Sequence, residues 1–169
     1  LIMANPLYGQ NKNDDDMVLY GRGKAEVILN GGATVVLTKE DSGAVCIFDA
    51  AGASNFTLPD PELGIKFTFI QTIINTADHV IQSSTNDHGF LGGVLMMNTT
   101  ADQTDSFSTA TDGNNDFITL NATTTGGAAA GSRIEVVAIL NSSAAKCWAV
   151  TGTLIISGAG ATPFGDAQI

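Results

Sequence analysis

The sequence predicts an all-β fold, and three observations carry that expectation. From Ser42 to Ser83, short apolar runs are cut by small-residue turns and by a Leu58-Pro59-Asp60-Pro61 corner, which leaves no room for a helix. Within those runs Val45, Ile47, Phe56, Leu58, Phe67 and Phe69 recur at period two, the spacing that puts alternate side chains on one buried face. Pro59 and Pro61 lack the N–H that a ladder needs and stop the strand there. The whole chain is 44% hydrophobic and 14% charged, with a polar remainder rich in Thr, Ser, Asn and Gly, a balance that suits strands and tight turns.

Residues 1–24 form a segment of their own, with an Asp14-Asp15-Asp16 run and isolated apolar residues at Leu7, Tyr8, Val18, Leu19 and Tyr20. A solvated tail needs no such residues, so a docking arm is expected, reaching a sister copy or another surface. Met3-Ala4-Asn5-Pro6 reads as an ordinary translation start, which leaves Leu1-Ile2 either as upstream sequence or as residues foreign to the protein. Gly21-Arg22-Gly23-Lys24 lacks the spacing and the following Ser or Thr of a phosphate loop and reads as a hinge.

A single β domain is expected over 25–157, opening with a hairpin: Ala25 to Asn30, a turn at Gly31-Gly32, then Ala33 to Thr38. Asn30-Gly31 offers the positive-φ residues of a type I′ turn. Further strands are predicted near 44–49, 54–58, 65–74, 78–83, 91–97, 116–122, 132–140, 145–151 and 153–157. About ten short strands favour an antiparallel sandwich, a jelly-roll-like fold or a barrel, with extended N- and C-terminal arms. Ser132 to Leu140 is almost continuously apolar, as in a strand buried on both faces, and Trp148 and Ile155-Ile156 complete the core. Residues 99–115 read as a long exposed excursion and Thr123 to Gly131 as a flexible connection. The tail, 158–169, is glycine-rich with isolated Phe164 and Ile169, and is expected to be partly ordered against neighbours.

At 169 residues the chain suits one domain, large enough to bury about 70% of the surface its unfolded form exposes. A net charge of -10, with seven scattered basic residues, argues against a nucleic-acid partner. No apolar run reaches spanning length and residues 1–20 lack the pattern of a secretory signal, so neither a membrane nor export is expected. Cys46 and Cys147 sit among apolar neighbours and are expected to be buried free thiols; a disulfide between them is the alternative.

The search for chemistry yields little. His79 lies in a strand and His88 in a turn, without the spacing of a zinc signature. No Gly-x-Ser-x-Gly elbow accompanies the many serines. Asp112-Gly113-Asn114-Asn115-Asp116 offers oxygen ligands at alternate positions, but Phe117 stands where a calcium loop needs glycine and Thr123 where it needs glutamate, so a solvated turn is expected. Asp60 and Glu62 flank a proline in a corner, with nothing to raise one carboxyl for glycosidase work. No catalytic, metal or cofactor site is expected, and the protein is not expected to be an enzyme.

One stretch also resembles a known family. Asp41-Ser42-Gly43, Asp49-Ala50-Ala51-Gly52, Thr57-Leu58-Pro59, Pro61-Glu62-Leu63-Gly64 and Lys66-Phe67-Thr68-Phe69 together resemble a β module of tailed-bacteriophage virions, above all capsid decoration (cement) proteins and fibre-like proteins of marine phages. The resemblance covers about residues 33–157. It implies a virion protein made in the host cytoplasm and placed on the outer capsid surface, where a homotrimer clamps adjacent major capsid proteins. Leu7, Tyr8, Lys12, Val18, Leu19, Tyr20 and Arg22 are then the expected capsid or inter-subunit contacts, the aromatics giving area and the two cations orientation. Loops 84–90 and 99–115 would face outward, with weak host-glycan contact. The alternative is a fibre, spike or adhesin component that binds a host receptor, and a polysaccharide depolymerase is a more distant rival.

Overall fold

The structure, a computed structural model, describes residues 25–110 and 114–166. In chain order the described strands are β1 (Val27–Leu29), β2 (Thr34–Val36), β3 (Val45–Phe48), β4 (Ser54–Thr57), β5 (Lys66–Gln71) and β6 (His79–Gln82). They are followed by β7 (Phe90–Asn98), β8 (Thr104–Ser108), β9 (Phe117–Leu120), β10 (Arg133–Leu140), β11 (Lys146–Ile156) and β12 (Phe164–Gly165). A single 3₁₀ turn, Lys39–Asp41, is the one helical element among the described residues, held by the Asp41 carboxylate accepting from the Thr38 N–H and hydroxyl.

The strands form an all-β sandwich of two sheets, ordered β1-β3-β5-β10-β11-β7-β8 and β12-β9-β6-β4-β2. The first six alternate between the sheets, so that β1, β3 and β5 are parallel neighbours in the seven-stranded sheet and β2, β4 and β6 in the five-stranded one. Each pass through both sheets is one rung of a short coil. Val27 pairs with Val45, 18 positions on; Thr34 with Asn55, 21 on; Val45 with Thr68, 23 on; Asn55 with Val80, 25 on. Parallel neighbours need a crossover between them, and here the strand of the opposite sheet supplies it. The second half adds antiparallel strands: β10 on β5, β11 on β10 and β8 on β7 in the larger sheet, β9 on β6 and β12 on β9 in the smaller. β7 runs parallel to β11.

The core lies between two facing rows of side chains. Val35, Phe56, Ile81, Ile118 and Phe164 line up across the five-stranded sheet. Opposite them Ile28, Cys46, Phe69, Ile134, Gly152, Val94 and Phe107 line up across the larger one. Phe56 reaches across to Phe48, edge-on at 5.0 Å, and to Phe69 at 5.4 Å, geometries that ring quadrupoles favour. Trp148, fully buried, packs at 6.0 Å from Phe67.

The pairing departs from the purely antiparallel expectation, and no barrel closes. The expected hairpin is an arch. Gly31 and Gly32 do take positive φ, 64° and 76°, but β1 pairs with β3 and β2 with β4, in different sheets. Asn30 makes the arch self-sufficient: its Oδ1 accepts from the Ala33 N–H at 3.0 Å and its Nδ2 donates to the Asn55 carbonyl at 3.0 Å. Ile28 and Val35 thereby enter one core from opposite sides.

Four further expectations change. Val45 and Ile47 face outward, because Cys46 and Phe48 are the inward pair of β3. β10 is buried on one face only, with Ile134, Val136 and Ala138 inside and Val137 36% exposed. The expected strands 145–151 and 153–157 are one, β11: Gly152 sits where a Cβ would stand 2.6 Å from the Arg133 carbonyl, so its small size serves the close approach of β10 and interrupts nothing. The excursion 99–115 contains edge strand β8, whose Phe107 packs on the core.

The connection 123–131 is built rather than loose. The Asn121 Oδ1 accepts from the N–H groups of Thr123, Thr124 and Thr125, and Thr125 is buried. The expected C-terminal arm ends as a strand of this same chain: Phe164, 6% exposed, pairs with Ile118. Ile169 lies outside the described residues.

Candidate interaction surface

Among the described residues the two histidines and the two corner carboxylates Asp60 and Glu62 each have partners of their own. His79 is fully buried, stacked on Phe48 at 4.7 Å, with its Nε2 3.0 Å from the Gly52 carbonyl it donates to. Burial lowers its pKa below the ordinary 6.5, against the opposing pull of the Gly52 and Ala50 carbonyls and of Asp78. The folded protein therefore holds His79 neutral, while the unfolded chain takes up a proton below about pH 6.5. Stability is complete above that pH and falls as the pH drops toward the folded-state value. Urea midpoints at successive pH values are expected to decline below 6.5 in the native protein, and a His79→Gln variant is expected to lose that part of the slope. An unchanged slope in the variant would exclude His79 as its source.

His88 stands in its turn with Nδ1 3.2 Å from the Thr85 hydroxyl and 3.8 Å from the Asp60 carboxylate, nine positions after His79 and outside its strand. Asp60 accepts from the Ser84 hydroxyl and Glu62 pairs with Lys39 at 3.3 Å, so the two corner carboxylates have separate partners. Of the expected solvated turn 112–116, Asp112 and Gly113 lie outside the described residues. Asp116 departs from that expectation: it is fully buried, its N–H donating to the Gly165 carbonyl and its carbonyl accepting from the Ser83 N–H. Among the described residues no three His, Cys, Asp or Glu side chains converge as metal ligands, and no helix is long and apolar enough to cross a membrane.

Both cysteines are buried free thiols. Burial, then the carboxylates of Asp41 and Glu26, push the Cys46 thiol up to about 12, and burial raises that of Cys147 as well. Thiolate is the reactive form, so native protein is expected to leave both unmodified by a chromogenic disulfide reagent near pH 8 and to react at both once denatured. Reaction of either in the native state would contradict the closed core.

The two outer faces of the sandwich differ. On the five-stranded sheet the outward rows are Thr34, Asn55, Val80, Thr119 and Val36, Thr57, Gln82, Phe117, with Gln82 Nε2 donating to the Thr57 hydroxyl at 3.1 Å. That face is mostly polar. On the seven-stranded sheet one outward row runs Leu29, Ile47, Ile70, Arg133, Thr153, Leu95, and the next runs Val27, Val45, Thr68, Glu135, Thr151, Gly93. Its β1-β3-β5 end is therefore an apolar field, with Val27 57% and Leu29 58% exposed. The paired charges of Arg133 and Glu135 border it at β10. No known protein family, curated protein or solved structure matches this chain.

The sequence-expected contact residues Leu7, Tyr8, Lys12, Val18, Leu19, Tyr20 and Arg22 all lie outside the described residues, in the segment that enters β1. The apolar field at that same end was not anticipated. β3 reads Val45-Cys46-Ile47-Phe48, apolar on both phases, so period two alone cannot say which pair faces in. Loop 84–90 includes exposed Thr85, Asn86 and Asp87, and Thr99 to Asp102 are exposed at the turn into β8.

Proposed function

We propose that this chain is a virion structural protein that decorates the outer face of an icosahedral phage head, acting as a homotrimer that clamps adjacent major capsid proteins. The observation that carries this reading furthest is the apolar field Val27, Leu29, Val45, Ile47 and Ile70, rimmed by charge, at the end of the sandwich where the N-terminal segment enters. Exposed apolar patches with polar rims mark protein contacts. The closed core and the separated titratable groups favour binding over catalysis, and the phage-like motifs from Asp41 to Phe69 supply the class of partner. Binding the assembled shell and not its dissociated subunits stabilises the shell by mass action. Leu7, Tyr8, Val18, Leu19 and Tyr20 are the proposed apolar contacts from the N-terminal segment, with Lys12 and Arg22 orienting them, and the net charge of -10 keeps unbound copies apart.

Cryo-electron microscopy of the particle that contains this chain tests the proposal. Density on the outer head surface, touching two or more capsid subunits through the β1 end, is the expected result. Density confined to a tail or protruding fibre would overturn it and put receptor binding in its place. An Ile47→Asp variant is expected to fold but to lose shell occupancy, because its side chain is on the outer face; full occupancy would remove that face from the contact.

A further inference from the structure

The coil of rungs stops abruptly on its N-terminal side. Among the described residues β1 and β2 each have a hydrogen-bonded neighbour on one side only, so both sheets end with an open edge where the chain enters. Neither edge carries the charge or proline that keeps open edges from pairing: β1 reads Val-Ile-Leu and β2 reads Thr-Val-Val. At the opposite ends the edge strands are β8, Thr-Asp-Ser-Phe-Ser, and the two-residue β12. Burial tells the same story. Cys46 and Phe56 are fully buried, whereas Ile28 and Val35, beside them in the same inward rows, are only partly so. Stacked repeats expose an apolar layer at each end unless a terminal unit covers it.

The residues before β1 have the pattern to supply that unit. Val18-Leu19-Tyr20 precede Thr34-Val35-Val36 by 16 positions and Tyr8 precedes Val27 by 19, next to rung repeats of 18, 21, 23 and 25. Six residues, 21–26, link Tyr20 to Val27; eight make the same crossing between sheets from β2 to β3 and from β4 to β5. We infer that residues 7–20 form one further rung on their own chain, Val18-Leu19-Tyr20 running parallel along β2 and Leu7-Tyr8 along β1. On that register Leu19 stands opposite Val35 in the core row, Tyr20 stands beside Val36, which is otherwise 67% exposed, and Asp14-Asp15-Asp16 fall in the connection between the two strands. The rung goes beyond the decoration reading and needs no shell. It places Leu7 and Tyr8 at the apolar end of the larger sheet and Val18-Leu19-Tyr20 on the edge of the smaller one, and it takes Leu19 out of the proposed shell contacts and into the core.

Hydrogen–deuterium exchange tests this on the purified chain and on a variant lacking residues 1–20. Peptides covering β1 and β2 are expected to exchange at least about tenfold more slowly in the full chain, while β10 and β11 exchange alike in both and report an intact fold. Leu19→Asp in the full chain is expected to reproduce the faster exchange of β2. Equal exchange of β1 and β2 with and without residues 1–20 overturns the inference. Protection that vanishes on about hundredfold dilution also overturns it, since that assigns the edge to a second copy. Because no particle is present, failure here is distinct from failure of the decoration reading, which is decided by where the density lies on the particle.

Discussion

Replacing Phe56 with alanine is expected to destabilise the protein by about 3–5 kcal/mol, read as a lower urea midpoint with little change in slope. Phe56 is fully buried on the five-stranded sheet and its ring meets Phe48 and Phe69, both carried by the seven-stranded sheet. Truncation removes the side chain that joins the two layers and leaves a cavity, which strands held in place by their ladders on both sides cannot collapse to fill. For a domain whose total stability is about 5–15 kcal/mol, a loss of that size removes a large share. Leu63→Ala, in the turn before β5 at a side chain 60% exposed, is the control and is expected to stay within about 0.5 kcal/mol. A loss below about 1.5 kcal/mol for Phe56→Ala would show that the sheets repack freely there, contrary to the ring geometry.

Asn75→Ala is expected to have the second large effect, through hydrogen bonding rather than volume. Asn75 is 2% exposed in the link between β5 and β6, and its Nδ2 donates to the Leu120 carbonyl at 2.6 Å and to the Ala77 carbonyl at 2.9 Å. Its Oδ1 accepts from Gln71 Nε2 at 3.1 Å, and that amide also donates to the Ile73 carbonyl. One carboxamide thus ties the β5–β6 link to the end of β9. Alanine orphans buried carbonyls at about 1–3 kcal/mol each. Asn75→Asp is expected to be worse at neutral pH, because it places a carboxylate against two carbonyl oxygens, and to recover in part as the carboxyl is protonated. The order native, Ala, Asp in denaturation midpoints checks this; an aspartate variant as stable as the native protein at neutral pH would refute the network.

How much of this was legible in the residues varies from element to element. β4, β5, β6 and β9 were found from short apolar runs bounded by Gly, Pro, Asn and Asp, because those residues set backbone torsions on the spot. β8 was missed, since Thr-Asp-Ser-Phe-Ser is an edge strand with a single apolar anchor and reads as polar loop. The Gly/Ala connection 123–131 looked loose, yet the carboxamide of Asn121 orders it through three N–H groups. The apolar outer field escaped notice because Val45 and Ile47 fit the inward phase as well as Cys46 and Phe48 do. The contact residues of the N-terminal segment were legible as apolar residues in a polar stretch, which marks them as needing a partner and does not name it.

Read alone, the chain settled the all-β class, the place of most strands and the burial of both thiols. Those follow from period-two patterning and from turn residues, which act within a few positions. Only the tertiary structure decided that Asn30-Gly31-Gly32 makes an arch between sheets rather than a hairpin within one, that β1, β3 and β5 stack in parallel, and that Phe164 closes the smaller sheet. Both choices at Asn30 use the same positive-φ glycines. What separates them is whether Ile28 and Val35 bury more surface facing each other across a core or lying side by side in one sheet. That balance includes Phe56, Ile81 and Ile118, far along the chain, and so no local stretch of sequence contains it.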